Sequence, residues 1–239
     1  MVFHFYILGT SHTFKKETIS IQMIIHQFDQ TNSVLNTFIS EIRDVEIQKD
    51  SMRFRRNIER IGEVLAYELS RSLDYEAREI QTPLGTKKTF GCKDDLVLCS
   101  VLRAGLPLHQ GMLNYFDRAE NAFISAYRHH PNDDDDFEVI VKYFAAPSLD
   151  GKVLVLTDPM LATGKTLENV LNALKSHGTP KQIHILSVIG SKSGIAKVEK
   201  VFPSDTQLWI ATVDEHLTSK GYIIPGLGDA GDLSYGPKL

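Results

Sequence analysis

Val153-Leu154-Val155-Leu156-Thr157-Asp158-Pro159-Met160-Leu161-Ala162-Thr163-Gly164-Lys165-Thr166 is the stretch on which the fold turns. Its opening apolar run reads as a strand buried on both faces, as in a parallel sheet. The run ends in an acid, Asp158. A short loop comes next, and Thr163-Gly164-Lys165-Thr166 opens a helix that runs from about Gly164 to His177. Amides at a helix start point outward and the helix dipole favours negative charge there, so this geometry makes a pocket for a phosphate monoester. Asp158 stands at the carboxyl end of the strand, where open parallel sheets hold their ligands. It can accept hydrogen bonds from vicinal hydroxyls such as those of ribose. Taken alone, the segment also fits an ordinary strand-turn-helix connection with Thr163 as N-cap. An NTP-binding P-loop fits worse. That motif needs a glycine where this chain has Pro159, which also lacks an amide to donate.

Outward from this stretch the chain alternates. Asp95–Leu102, Ala122–Tyr127, Ile183–Ile189 and Leu208–Val213 read as strands, and Phe137–Phe144 as a strand returning beside the second of them. Helical stretches fall through Leu108, Met112 and Leu113, and around Ile195–Val201. This alternation describes an α/β fold, a mostly parallel central sheet flanked by helices. Upstream, Val34, Leu35, Phe38, Ile39 and Ile42, then Phe54, Ile58, Ile61, Leu65 and Leu69, recur at helical spacing and give two amphipathic helices. Leu73–Gly91, with Pro83 and Gly85, suits a short hairpin or a strand and loop. The tail after Asp214 is rich in Gly and Pro and reads as an ordered functional loop. Residues 1–22 share no period with the rest of the chain and are expected to be an N-terminal extension outside the core, leaving 23–239 as the domain.

Composition narrows the function. The 239 residues carry 26 Lys and Arg against 30 Asp and Glu, a net charge of −4, which opposes a role in coating nucleic acid. Two cysteines, Cys92 and Cys99, cannot form a disulfide framework or a four-cysteine zinc site, and suit reduced thiols in a cytoplasmic protein. No apolar run approaches the ~20 residues that a membrane span needs. Asp133–Asp136 reads as a solvated hairpin tip, and the nine histidines show no metal-ligand spacing. Arg53, Arg55, Arg56 and Arg60 read as a solvated helix face or a subunit contact.

Three motifs together carry a resemblance. Asp158–Thr166 resembles the phosphoribosyl pyrophosphate (PRPP) loop of type I phosphoribosyltransferases, and its Asp-Pro-Met-Leu-Ala-Thr-Gly form is similar to the uracil phosphoribosyltransferase family. Tyr222-Ile223-Ile224-Pro225-Gly226-Leu227-Gly228-Asp229-Ala230-Gly231-Asp232 resembles that family's uracil-binding loop. Leu102-Arg103-Ala104-Gly105 is similar to its pyrophosphate loop. Tyr127-Arg128 and Arg53-Phe54-Arg55 match weaker positions. The likeness runs from about Met23 to Leu239 in the family's order. Lys165 departs from it, standing where close members often have a second glycine. The segment with His129 and His130, and Leu233–Gly236, also differ from the common forms.

The resemblance implies a type I phosphoribosyltransferase fold with a small C-terminal base-binding hood, and transfer of the phosphoribosyl group from PRPP to uracil. The exposed N-terminal helices suggest a subunit interface, so a homo-oligomer is expected. It implies Mg²⁺ carried by PRPP and no metal ligated directly by the protein. Asp158, Arg103 and Asp229 would serve the chemistry. PRPP would meet Arg103, Arg128, Asp158, Pro159, Met160, Leu161, Ala162, Thr163, Gly164, Lys165, Thr166 and Asp229. Uracil would meet Ile223, Gly228, Asp229 and Ala230. A cis Leu102–Arg103 peptide is implied as well. The residues have their own logic. Gly226, Gly228 and Gly231 let main chain approach a planar ligand, and main-chain donors and acceptors can read the uracil edge and reject cytosine. Arg103, just past a buried strand, can grip pyrophosphate with paired hydrogen bonds, and Arg128 could reach the same anion. Two other readings stay open on sequence: transfer to another base, and a non-catalytic nucleotide-binding regulator of the same fold.

Overall fold

The computed structural model describes residues 23–129 and 138–237, and side chains for these except 126–129 and 138–142. The expected extension 1–22 and the acidic run Asp133–Asp136 lie outside the described residues. In chain order the elements are β1 (Ile24–Gln27), α1 (Val34–Arg43), α2 (Ser51–Ser70), β2 (Tyr75–Thr82), β3 (Gly85–Cys92), β4 (Leu96–Leu102), α3 (Leu106–Leu113), β5 (Glu120–His129) and β6 (Glu138–Ala145). Next come β7 (Val153–Thr157), β8 (Met160–Leu161), α4 (Lys165–Leu174), β9 (Gln182–Ser191), α5 (Lys192–Val201), β10 (Gln207–Asp214), β11 (His216–Leu217), β12 (Ile223–Ile224) and α6 (Ala230–Tyr235). The central sheet has the order β1-β10-β9-β7-β4-β5-β6, with β8 added beside β9. Every pairing in it is parallel except β5 with β6.

Alternation along the strands sends neighbours to opposite faces. On β4, Leu98 packs with α1, α2 and α3, while Val97 and Cys99 pack with α4 and α5. Both faces are therefore covered, which is why these strands read as unbroken apolar runs. The spacing of Phe54, Ile58, Ile61, Leu65 and Leu69 is the buried stripe of α2. Asp50 starts that helix by accepting from the amides of Met52 and Arg53. Ser33 and Asn36 form a reciprocal cap on α1.

From β4 the chain moves to β5 on one side, and from β7 to β9 and β10 on the other. The order reverses between β4 and β7, so the turn after β4 and the loop after β7 sit side by side, at the switch point where such sheets bind ligands.

Several expectations are corrected in detail. The helix after Thr163 stops as an α-helix at Leu174 and closes in a 3₁₀ turn over Lys175–His177. Its N-cap is Gly164, not Thr163. Gly164 has φ +74°, which a glycine adopts without strain. No strand is expected ahead of α1, yet β1 pairs in parallel with β10 and covers its edge. Four residues are too few to display a period. The tail is more regular than a loop, forming the β11–β12 ladder and the short α6.

Candidate active site

The loop after β7 is built from behind by β9. Asp158 donates its N–H to the Leu186 carbonyl at 3.1 Å. Its own carbonyl accepts from the Ser187 hydroxyl at 2.7 Å. The Pro159 carbonyl accepts the amides of Val188 and Ile189 at 3.1 and 3.0 Å. Met160 and Leu161 then pair with Ile189 and Gly190 as β8. Ser191 donates its hydroxyl to the Ala162 carbonyl at 2.6 Å and accepts the Gly194 amide at 2.9 Å. Carbonyls are thus consumed on the β9 side. The opposite side is a pocket lined by Asp158, Met160, Leu161, Ala162, Thr163, Gly164, Thr166 and Leu167. The first turn of α4 opens onto it, and the acid of that turn, Glu168, is paired with Lys197 at 2.9 Å. A pocket so bounded offers amides and hydroxyls to an anion. Asp158 is buried, and one of its carboxylate oxygens accepts the Met160 amide at 3.1 Å. Lys165 is half-buried on α4.

Arg103 lies in the turn that joins β4 to α3, behind a cis Leu102–Arg103 peptide, as the motif implied. Its guanidinium donates to Asp232 at 3.2 Å and to the Gly236 carbonyl at 3.0 Å, so it faces the C-terminal hood. The hood touches the other loop as well: the Ala230 amide meets the Met160 sulfur at 3.4 Å. Three segments far apart in sequence therefore meet, while the pocket itself is lined by the loop after β7 and the start of α4. Ile223 and Ala230 are buried in the hood, and Ile224–Pro225 is cis. Asp229 has a task that its motif does not announce. It caps α6, accepting the amides of Gly231 and Asp232 at 2.8 and 3.0 Å. The backbone of Arg128 lies near the end of β5, opposite Val139 and past the last β4 pairing at Ser125.

A family model described as uracil phosphoribosyltransferase matches residues 30–237. The chain belongs to the uracil phosphoribosyltransferase family. A relative named uracil phosphoribosyltransferase from Porphyromonas gingivalis is 50% identical over 208 residues, covering 87% of this chain and 96% of that one. Another of the same name from Methanothermobacter thermautotrophicus is 40% identical over 189 residues, 78% of this chain and 85% of that one. Among solved structures, the AQ2163 protein from Aquifex aeolicus superposes with a TM-score of 0.79 at 30% identity, covering 89% of this chain and 98% of that one.

Within this uracil phosphoribosyltransferase family frame, two groups of residues do more than their sequence context suggests. Arg53, Arg56 and Arg60 fit a partly solvated helix face, pairing with Glu41, Glu59 and Asn57 respectively. Arg55 does not. It donates to the Ser234 carbonyl at 2.6 Å and lies 5.8 Å from the Tyr235 ring centre, so it ties α2 to the hood. Ser187 and Ser191 are hidden within an apolar strand. Their signal is nonetheless present: isolated hydroxyls in a doubly buried run must find partners, and the loop carbonyls are those partners.

Proposed function

We propose that this protein transfers the 5-phosphoribosyl group from PRPP to uracil, giving uridine 5′-monophosphate and pyrophosphate, a pyrimidine salvage reaction. The observation that carries this reading is the meeting of a phosphate-type loop at the end of β7 with a glycine-rich hood at Met160 and Ala230. Half of the aligned residues are shared with a protein named for this activity. In the reaction the anomeric carbon loses pyrophosphate as the uracil ring nitrogen attacks, and positive charge grows on the ribose. Catalysis is then a matter of position and electrostatics. Asp158 holds the ribose hydroxyls and complements that charge. Pro159, Met160 and Leu161 shape the approach, and Ala162, Thr163, Gly164, Lys165 and Thr166 cradle the 5-phosphate. Arg103 and Arg128 grip pyrophosphate. Arg103 exchanges Asp232 for it at little cost, since both side chains are 38% exposed and such pairs are weak. Ile223, Gly228, Asp229 and Ala230 read uracil, with Asp229 also orienting the ribose side.

Mg²⁺ carried by PRPP would supply charge neutralisation at the pyrophosphate, beside Arg103 and Arg128 and with no protein side chain ligating it directly. A homo-oligomer fits the β2–β3 hairpin, a separate two-stranded sheet with Leu84 fully exposed and Phe90 73% exposed. A cytoplasmic site fits two free cysteines, with burial pushing the Cys99 thiol up to about 12. No described helix is long and apolar enough to cross a membrane. We read 23–239 as the domain and 1–22 as an extension outside it, a division supported by the family match beginning at residue 30.

The test is pyrophosphate release from PRPP and Mg²⁺ with uracil, with cytosine, with hypoxanthine and with no base. Release that requires uracil supports the reading. Release with another base and none with uracil replaces it with a different transfer, and no release with any base favours a regulator.

A further inference from the structure

The base-reading loop turns at Gly226, whose φ is +64°. A Cβ there would lie 2.1 Å from the Ile223 carbonyl oxygen, so only glycine fits. Both main-chain groups of this residue are held by one ion pair. Its N–H donates to Asp214 Oδ2 at 2.9 Å, and its carbonyl accepts from Arg43 Nη1 at 3.0 Å. The pair is itself bidentate, with Arg43 Nη1 and Nη2 on the two Asp214 oxygens at 2.8 and 2.9 Å. Arg43 Nη2 also reaches Thr212 Oγ1 at 3.3 Å, and that hydroxyl donates to Asp29 Oδ2 at 2.7 Å. Arg43 comes from the last turn of α1, and Asp214 from the carboxyl end of β10, 171 residues away. Asp214 is 9% exposed and Arg43 22%. Burial pushes the Asp214 carboxyl up, but the Arg43 guanidinium and the Gly226 amide outweigh it and hold the group below the usual carboxylate range.

We infer that Arg43 and Asp214 are positioning residues for base binding, gripping Gly226 from both sides and setting where Gly228–Ala230 meets the base. The inference rests on the uracil-transfer reading. A rigid fork with paired donors does what a single ammonium cannot, because it satisfies the carboxylate and the loop carbonyl at once. The loop after β7 is held mainly by hydrogen bonds from β9, so loss of the clamp acts more on the base than on PRPP, whose other contacts lie outside the hood.

Steady-state kinetics of Arg43→Gln and Arg43→Lys, beside the unaltered chain, test this. KM for uracil is expected to rise about 10-fold in Arg43→Gln, with KM for PRPP within about twofold. Arg43→Lys, which keeps the charge and loses the fork, should fall between. An unchanged KM for uracil, or an equal rise in both constants, overturns the inference. Should Arg43→Gln not fold, amide exchange on the unaltered chain decides. The Gly226 N–H is expected to be protected about 100-fold or more, and exchange at the rate of an open chain overturns the clamp. An unaltered chain that releases no pyrophosphate with uracil defeats the transfer reading instead, and the exchange measurement still reads the clamp.

Discussion

At the scale of single residues, Asp158 carries the largest expectation. It closes a buried strand, its main chain is fixed by Leu186 and Ser187, and its carboxylate already accepts the Met160 amide. Asn can keep that shape and the accepting oxygen while removing the charge. If the charge complements the transition state, Asp158→Asn should lower turnover about 100-fold, equivalent to about 2.7 kcal/mol, with KM for uracil nearly unchanged. A purely structural acid would show the reverse: a lower melting temperature with near-normal turnover in what stays folded. Kinetics and thermal melting on one preparation separate the two. Asp229 illustrates why residue type alone does not fix a role. Its carboxylate caps α6, a task any helix-start Asp could perform, and its neighbour Ala230 touches Met160 of the loop after β7.

Among the elements, β9 does most to shape the loop after β7. It spends two buried hydroxyls and two amides on the carbonyls of Asp158, Pro159 and Ala162. Ser191→Ala removes the donor to Ala162 and the cap of α5 together, a loss of buried hydrogen bonding worth about 1–3 kcal/mol. The loop then loses its fixed height, so KM for PRPP is expected to rise about 10-fold while KM for uracil stays within about twofold. A matched rise in both, measured by varying each substrate at saturation of the other, would show that Ser191 supports the whole cleft. Elements of this kind explain what the sequence displays and what it hides. The α2 stripe and the buried strands are legible because their periods run for many residues. Two-residue β8, four-residue β1 and six-residue α6 carry no such period, and only pairing with distant partners makes them regular. The loop after β7 and the hood are legible because glycine spacing is a local property. The clamp on Gly226 is not, since nothing near Arg43 in sequence points to Asp214.

Across the whole molecule, the sheet joins those hidden pieces to the legible ones through an aromatic and histidine stack. His26 of β1 lies on Trp209 of β10 at 3.8 Å, nearly parallel. Trp209 donates its indole N–H to His184 Nδ1 of β9 at 3.0 Å. That bond needs an unprotonated Nδ1, so His184 is neutral, with its proton on Nε2. Burial pushes His184 down from 6.5 to about 4; the nearby His26 adds to the effect and Asp94 opposes it. The unfolded chain therefore binds a proton on this histidine at a higher pH than the folded one does. Its contribution to stability is full above about pH 6.5 and is lost as pH falls toward 4. A gap of that size is on the order of 3 kcal/mol once the whole window is crossed. The Asp214 carboxyl, held low, loses its share at more acid pH, so the two effects separate. Melting temperature, followed from pH 7.5 down to 5.5 in a constant-ionic-strength buffer, should stay nearly level to about pH 6.5 and fall below it for the unaltered chain. His184→Gln leaves an oxygen for the Trp209 N–H and has no proton to gain. It should melt lower at pH 7.5 but lose distinctly less between the two pH values. Equal slopes in the two proteins would mean that His184 does not link the sheet to pH, and that another group titrates in that window.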